Sequence, residues 1–96
     1  MQTPTRTLSP EVLVADAPVV CVSREDVEFL KQQAQRTDRL RSRLCAHMDV
    51  EDGLHEMLIV HSLGAYVRPH KHIGKSESLH VLEGEVDLVL FSEEGV

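Results

Sequence analysis

Apolar residues recur along this chain with two different periods, one in each half. Between Ser23 and Gln35, Val27, Leu30 and Ala34 form a single stripe at about 3.6 residues per turn, flanked by Lys31, Gln32, Gln33 and Gln35. This spacing predicts an amphipathic helix. Ser23 is placed to cap it, Asp26 lies three residues on in a variant of the capping box, and Val22 and Val27 hold the staple positions. Glu25, Asp26 and Glu28 put negative charge where the helix dipole favours it, and Thr37 and Asp38 predict the end. Ahead of the helix, Met1 to Pro10 reads as a polar arm. Glu11–Ala15 and Val19–Val22 are short β-prone runs split by Asp16-Ala17-Pro18; they pair with each other or add a strand to the main sheet.

From Leu54 the period shortens to two. Asp52-Gly53 is a turn signal, and Leu54 to His61 reads as a strand with a buried centre. Ser62-Leu63-Gly64 turns into Ala65 to Val67, and Pro69 interrupts pairing as at a strand end or edge. Two further strands are expected, Glu77–Glu83 and Glu85–Phe91, joined at Gly84. In the second, Val86, Leu88 and Leu90 alternate with Asp87 and Val89. Ser92 to Gly95 predicts a last turn. The chain thus divides into an arm with short strands (1–22), a helix with a basic connector (23–53) and a β region (54–96). The fold expected is mainly β, an antiparallel meander preceded by one α-helix.

Composition narrows the picture. Ninety-six residues hold one small domain. Sixteen Asp and Glu against ten Lys and Arg argue against a general nucleic-acid binder. No apolar run approaches the roughly twenty residues of a membrane helix. Cys21 and Cys45 lack CxxC spacing and follow no secretory segment, so reduced thiols and a cytoplasmic location are expected. Arginines cluster in Arg36 to His47, at Arg36, Arg39, Arg41 and Arg43. They serve either as a solvated segment near a helix C-terminus or as an anion-binding edge for phosphate or carboxylate.

The candidate chemistry lies in Gly64 to Gly84, GAYVRPHKHIGKSESLHVLEG. On an extended segment His70 and His72 point to the same face. Ile73 to Ser76, with Gly74 inside, is long enough to turn the chain and bring Glu77 back towards them. Two imidazoles and a carboxylate with open positions make a first-row metal site. Tyr66 and Arg68 alternate with His70, and Arg68 and Lys71 flank the ligands. These three are the candidate substrate-binding residues, with solvation or filling of the site's mouth as the plainer alternative. By period two His80 points away from Glu77, and His55 and His61 share a strand face with at most an indirect role.

The spacing Gly64-x5-His70-x-His72-x4-Glu77-x6-Gly84 resembles the first motif of the cupins, small β-barrels that bind iron, manganese, nickel or zinc. The wider stretch EMLIVHSLGAYVRPHKHIGKSESLHVLEGEVDLVLF, with the helix and RLRSRLCAH before it, looks like the WbuC family of cupin-fold metalloproteins. The resemblance implies an antiparallel cupin-type (double-stranded β-helix, jelly-roll) barrel. It implies metal ligands at His70, His72 and Glu77, turn glycines at Gly64 and Gly84, and one divalent transition metal ion. A second cupin motif with a further histidine has no counterpart before Val96, so the barrel is expected to be incomplete at the C-terminus. Either the chain is a fragment or it completes its sheet by homodimerising through strand edges.

Two functions remain open at this level. One is a metal-dependent enzyme, an isomerase, epimerase or oxygenase, acting on a small polar substrate such as a sugar or sugar nucleotide of surface-polysaccharide synthesis. The other is a non-catalytic metal or small-ligand binding module, or a truncated inactive cupin. No catalytic acid or base is identifiable.

Overall fold

The computed structural model describes residues 1–92. It has five elements: β1 (Thr5–Ser9), β2 (Val12–Ala15), α1 (Arg24–Gln35), β3 (Arg41–Cys45) and β4 (Met57–His61). The strands form one open sheet in the order β1-β2-β3-β4. β1 and β2 pair antiparallel, with Thr5 opposite Ala15 and an irregularity between Thr7 and Ser9. β3 and β4 also pair antiparallel, with Arg41 opposite His61 and Cys45 opposite Met57. β2 and β3 run parallel, with Leu13 opposite Leu44, so the sheet is mixed; of the meander expected over residues 54–96, β4 alone forms among the described residues. A parallel pair cannot be joined by a tight turn; here α1 is the crossover.

The helix forms as its local signals predict. The Ser23 side chain accepts from the Asp26 N–H and the Asp26 side chain accepts from the Ser23 N–H, a complete capping box. Leu30 and Ala34 are fully buried against the sheet. Leu30 packs with Leu13 and Leu44, and half-buried Val20, Leu58 and Val60 close around them. Val12, Val14 and Cys45 make a smaller cluster. All four residues of β2 are buried, as a near-continuous apolar strand covered on both faces should be. Burying a leucine such as Leu30 contributes about 1.5–3 kcal/mol, the main force holding helix to sheet.

Three expectations need correcting. The basic connector contains β3, an interior strand: Ser42 and Leu44 turn inward while Arg43 is exposed, which satisfies both the arginines and the core. The polar arm contains β1, recruited because β2 has an edge to pair; Val19–Val22 forms no strand. Beyond His61, Ala65–Val67, Glu77–Glu83 and Glu85–Phe91 form no ladder among the described residues. Their alternation lacks a partner strand, and the apolar side chains stay exposed, Leu88 at 69% and Leu90 at 81%. Within the expected turn at Ser92–Gly95, residues 93–95 lie outside the described residues. Mainly β with one helix is therefore the architecture, and the described sheet is open. Cys21 and Cys45 are both free thiols, the second buried. No described helix is long and apolar enough to cross a membrane.

Candidate functional site

The site begins where β4 ends. Ser62 N–H donates to the Leu40 carbonyl at 2.8 Å, and Ala65 N–H donates to the Ser62 carbonyl at 3.0 Å, closing a turn. Gly64 adopts φ +94° there, a left-handed conformation that favours glycine. A Cβ at Gly64 would stand 3.5 Å from Leu40 Cδ1. Leu40 is itself left-handed at φ +55°, the one described non-glycine residue with positive φ. It is held by its N–H donating to the Thr37 carbonyl at 3.1 Å and by its carbonyl accepting from Ser62. Thr37 Oγ1 accepts from the Arg41 N–H at 3.0 Å and fixes the next residue.

After this turn the chain borders an open groove of about 1090 Å³ at the start of β3, lined among others by Arg39, Arg41, Tyr66, Arg68 and His70. The structure therefore joins two stretches far apart in sequence, the basic segment and the candidate substrate-binding residues. Arg39 Nη2 and Arg41 Nε both reach Glu11 Oε1, at 3.1 and 3.4 Å. Lys71 is exposed, as is His80.

His70 Nδ1 lies 3.0 Å from the Arg68 carbonyl. A carbonyl can only accept, so Nδ1 carries a proton and Nε2 is the nitrogen left to bind a metal. The His70 and His72 rings meet edge to face, with centroids 5.0 Å apart and planes at 81°. Gly74, at φ +67°, bends the chain after them. Glu77 then returns, and its Oε2 sits 2.7 Å from His72 Nε2. The turn predicted from sequence thus brings all three residues into one neighbourhood, all of them exposed.

His72 and Glu77 satisfy one another and His70 turns its Nδ1 to the Arg68 carbonyl, so the three do not aim at a common point. Among the described residues no three His, Cys, Asp or Glu side chains converge in a ligating group. The donor chemistry nonetheless fits a first-row divalent ion: two imidazoles and one carboxylate, with one Nε2 already free. Gly84 is left-handed at φ +83° with open space around it, which suits the turn role assigned to it. Next to it Glu83 Oε1 accepts from Lys31 Nζ at 2.8 Å, tying this segment to α1. That contact raises the Lys31 pKa and lowers that of Glu83.

Sequence reasoning missed a second histidine pair. His47 and His55 stack face to face with centroids 4.1 Å apart and planes at 6°. His47 borders a groove of about 570 Å³ beside Met48, Asp52 and Met57. The signal was available in the register: each lies two residues beyond the Cys45–Met57 pair, so an extended ladder sets them opposite one another.

Residues 22–96 match the model of a family described as a domain of unknown function (DUF6016). The matched span holds α1, β3, β4 and every candidate site residue. No curated protein matches the chain, and no solved structure does.

Proposed function

The chain belongs to the DUF6016 family, a membership that assigns no activity, and we propose that it is a metal-binding protein of cupin type whose ligands are His70, His72 and Glu77. The observation that carries this reading is the His72–Glu77 contact at 2.7 Å with the His70 ring beside it, at the spacing by which the segment resembles the first cupin motif. The preferred activity is enzymatic, on a small polar substrate such as a sugar or sugar nucleotide. A bound iron, manganese, nickel or zinc ion would supply Lewis acidity, polarising a carbonyl or gathering vicinal oxygens.

The chain's own residues prepare for this. The Arg68 carbonyl fixes the tautomer of His70, a support that orients a ligand ring and raises its basicity. An ion held by His72 Nε2 and Glu77 would replace the contact between them, with the ring proton carried on Nδ1. Tyr66 and Arg68 border the approach to His70 and offer a hydroxyl and a guanidinium to substrate oxygens.

The test is metal content after loading with each of the four ions, for the unmutated protein and for His70→Ala, His72→Ala and Glu77→Ala. Stoichiometric metal lost in the variants supports the site; an unmutated protein that retains none sinks it. Turnover of sugar nucleotides with and without added metal then separates an enzyme from a non-catalytic binding module. The apolar positions left exposed between Leu79 and Phe91 support completion of the sheet by pairing, in a homodimer or in a cupin barrel.

A further inference from the structure

The groove between the start of β3 and the Tyr66–His70 segment is positively charged in a chain whose net charge is −6. Three guanidiniums border it, Arg39, Arg41 and Arg68, against the carboxylates of Asp38 and Glu11. Glu11 Oε1 is shared by two of them, and one carboxylate balances only one guanidinium. Arg68 makes no ion pair among the described residues. One positive charge is left over at the rim. Arg39 and Arg41 each keep N–H donors beyond the one that reaches Glu11, and a guanidinium's planar fork suits a phosphate or carboxylate.

The backbone beneath them is under strain. A left-handed leucine is less stable than one in an ordinary conformation, and such strain persists only where its surroundings impose it. At Leu40 it connects the end of the helix to β3 with Arg39 and Arg41 on either side, both reaching Glu11. The groove, about 1090 Å³ and open to solvent, is large enough to seat a small molecule. One of its lining residues is His70, so a ligand seated there would extend to the candidate metal site.

We propose that this groove is an anion subsite, in which Arg39, Arg41 and Arg68 hold a phosphate or carboxylate group of the small molecule presented to His70, His72 and Glu77. The assignment rests on the metal-site reading for the destination of the ligand but not for the binding of the anion. It deepens that reading by naming the substrate class: an anionic small molecule, a neutral sugar being excluded.

The experiment uses the whole chain with chelator present, so that anion binding is read without metal. Uridine diphosphate, glucuronate and glucose are titrated separately and followed by calorimetry and amide chemical shifts. The phosphate arm or the carboxylate arm should bind and shift Arg39, Tyr66 and Arg68, and glucose should not. Arg68→Gln, at an exposed position that does not threaten the fold, should weaken the anion about tenfold, as loss of a charge-assisted contact does. Arg24→Gln on α1 should leave it unchanged. Binding should also weaken as salt is raised. If neither anion binds, or if Arg68→Gln and Arg24→Gln behave alike, the subsite is wrong, even if metal loading succeeds. If anions bind as expected while no metal is retained, the subsite stands and the metal reading falls.

Discussion

Ser42 Oγ donates a hydrogen bond of 2.7 Å to the carbonyl of Leu30, joining β3 to the middle of α1 across a fully buried interface. Ser42 is 1% exposed and Leu30 0%. The helix and the strand are thus fixed by one polar contact inside an apolar layer. Ser42→Ala should cost about 1 kcal/mol, the usual net worth of such a bond. Leu30→Ala should cost about 2–5 kcal/mol, because a cavity opens as well. Urea unfolding of both variants checks this ordering, and equal losses would contradict it.

Asp26 ties three backbone groups together at the helix start. Its carboxylate accepts from Ser23 N–H at 3.0 Å and from Gln2 N–H at 3.1 Å, and the Met1 ammonium lies 3.9 Å away. The Ser23 backbone bond is the largest cause holding its pKa below the ordinary aspartate value of 3.8. The stability that follows is present above that value and lost as pH falls through the lower folded value. Asp26→Asn should flatten the acid limb of a stability–pH curve between about pH 2 and 4. Ser23→Ala, which removes the cap itself, should cost about 1 kcal/mol at neutral pH.

His61 faces Arg41 across the β3–β4 ladder. Burial first, then the Arg41 charge, pushes its pKa below the usual 6.5. The unfolded chain therefore takes up a proton before the folded one. Stability should decline as pH drops below 6.5 and level off once the folded state titrates as well. His61→Gln should show a shallower fall between pH 7.5 and about 5.5. An NMR titration placing the His61 midpoint at or above the ordinary value would contradict this partial desolvation beside Arg41.

Gly64 occupies left-handed backbone at φ +94°, and an added Cβ meets only Leu40 Cδ1 at an ordinary 3.5 Å. The cost of Gly64→Ala is then conformational, roughly 1–2 kcal/mol, with no steric part. Gly64→Asn should cost less, since asparagine tolerates this region. Denaturation midpoints of the two variants should separate in that order.

Some features were legible because their causes are local. Ser23 and Asp26 cap the helix across three residues, and Leu30 and Ala34 mark its buried stripe. Gly74 bends the segment that returns Glu77 to His72. Each depends on neighbours within a turn or so of chain. Other features depended on what lay opposite. Arg41 to Cys45 carries its period-two pattern under arginines that disguise it as a surface connector. Its role as an interior strand required β2 on one side and β4 on the other. β1 is polar and pairs only because β2 supplies an edge. In Val86, Leu88 and Leu90 the alternation is as clear as in β4, yet no ladder forms among the described residues, since periodicity provides a face but not a partner.

The amino-acid sequence alone determined the helix, its cap, the mainly β character and the histidine–carboxylate turn, all of which arise from short-range sterics and hydrogen bonding. The tertiary structure decided the parallel β2–β3 pairing, the burial of Ser42 on Leu30, and the meeting of Arg39 and Arg41 with Tyr66, Arg68 and His70. Those outcomes follow from which apolar surfaces cover one another and which charges are left facing across the gap. They involve residues separated by dozens of positions, and no local pattern encodes that choice.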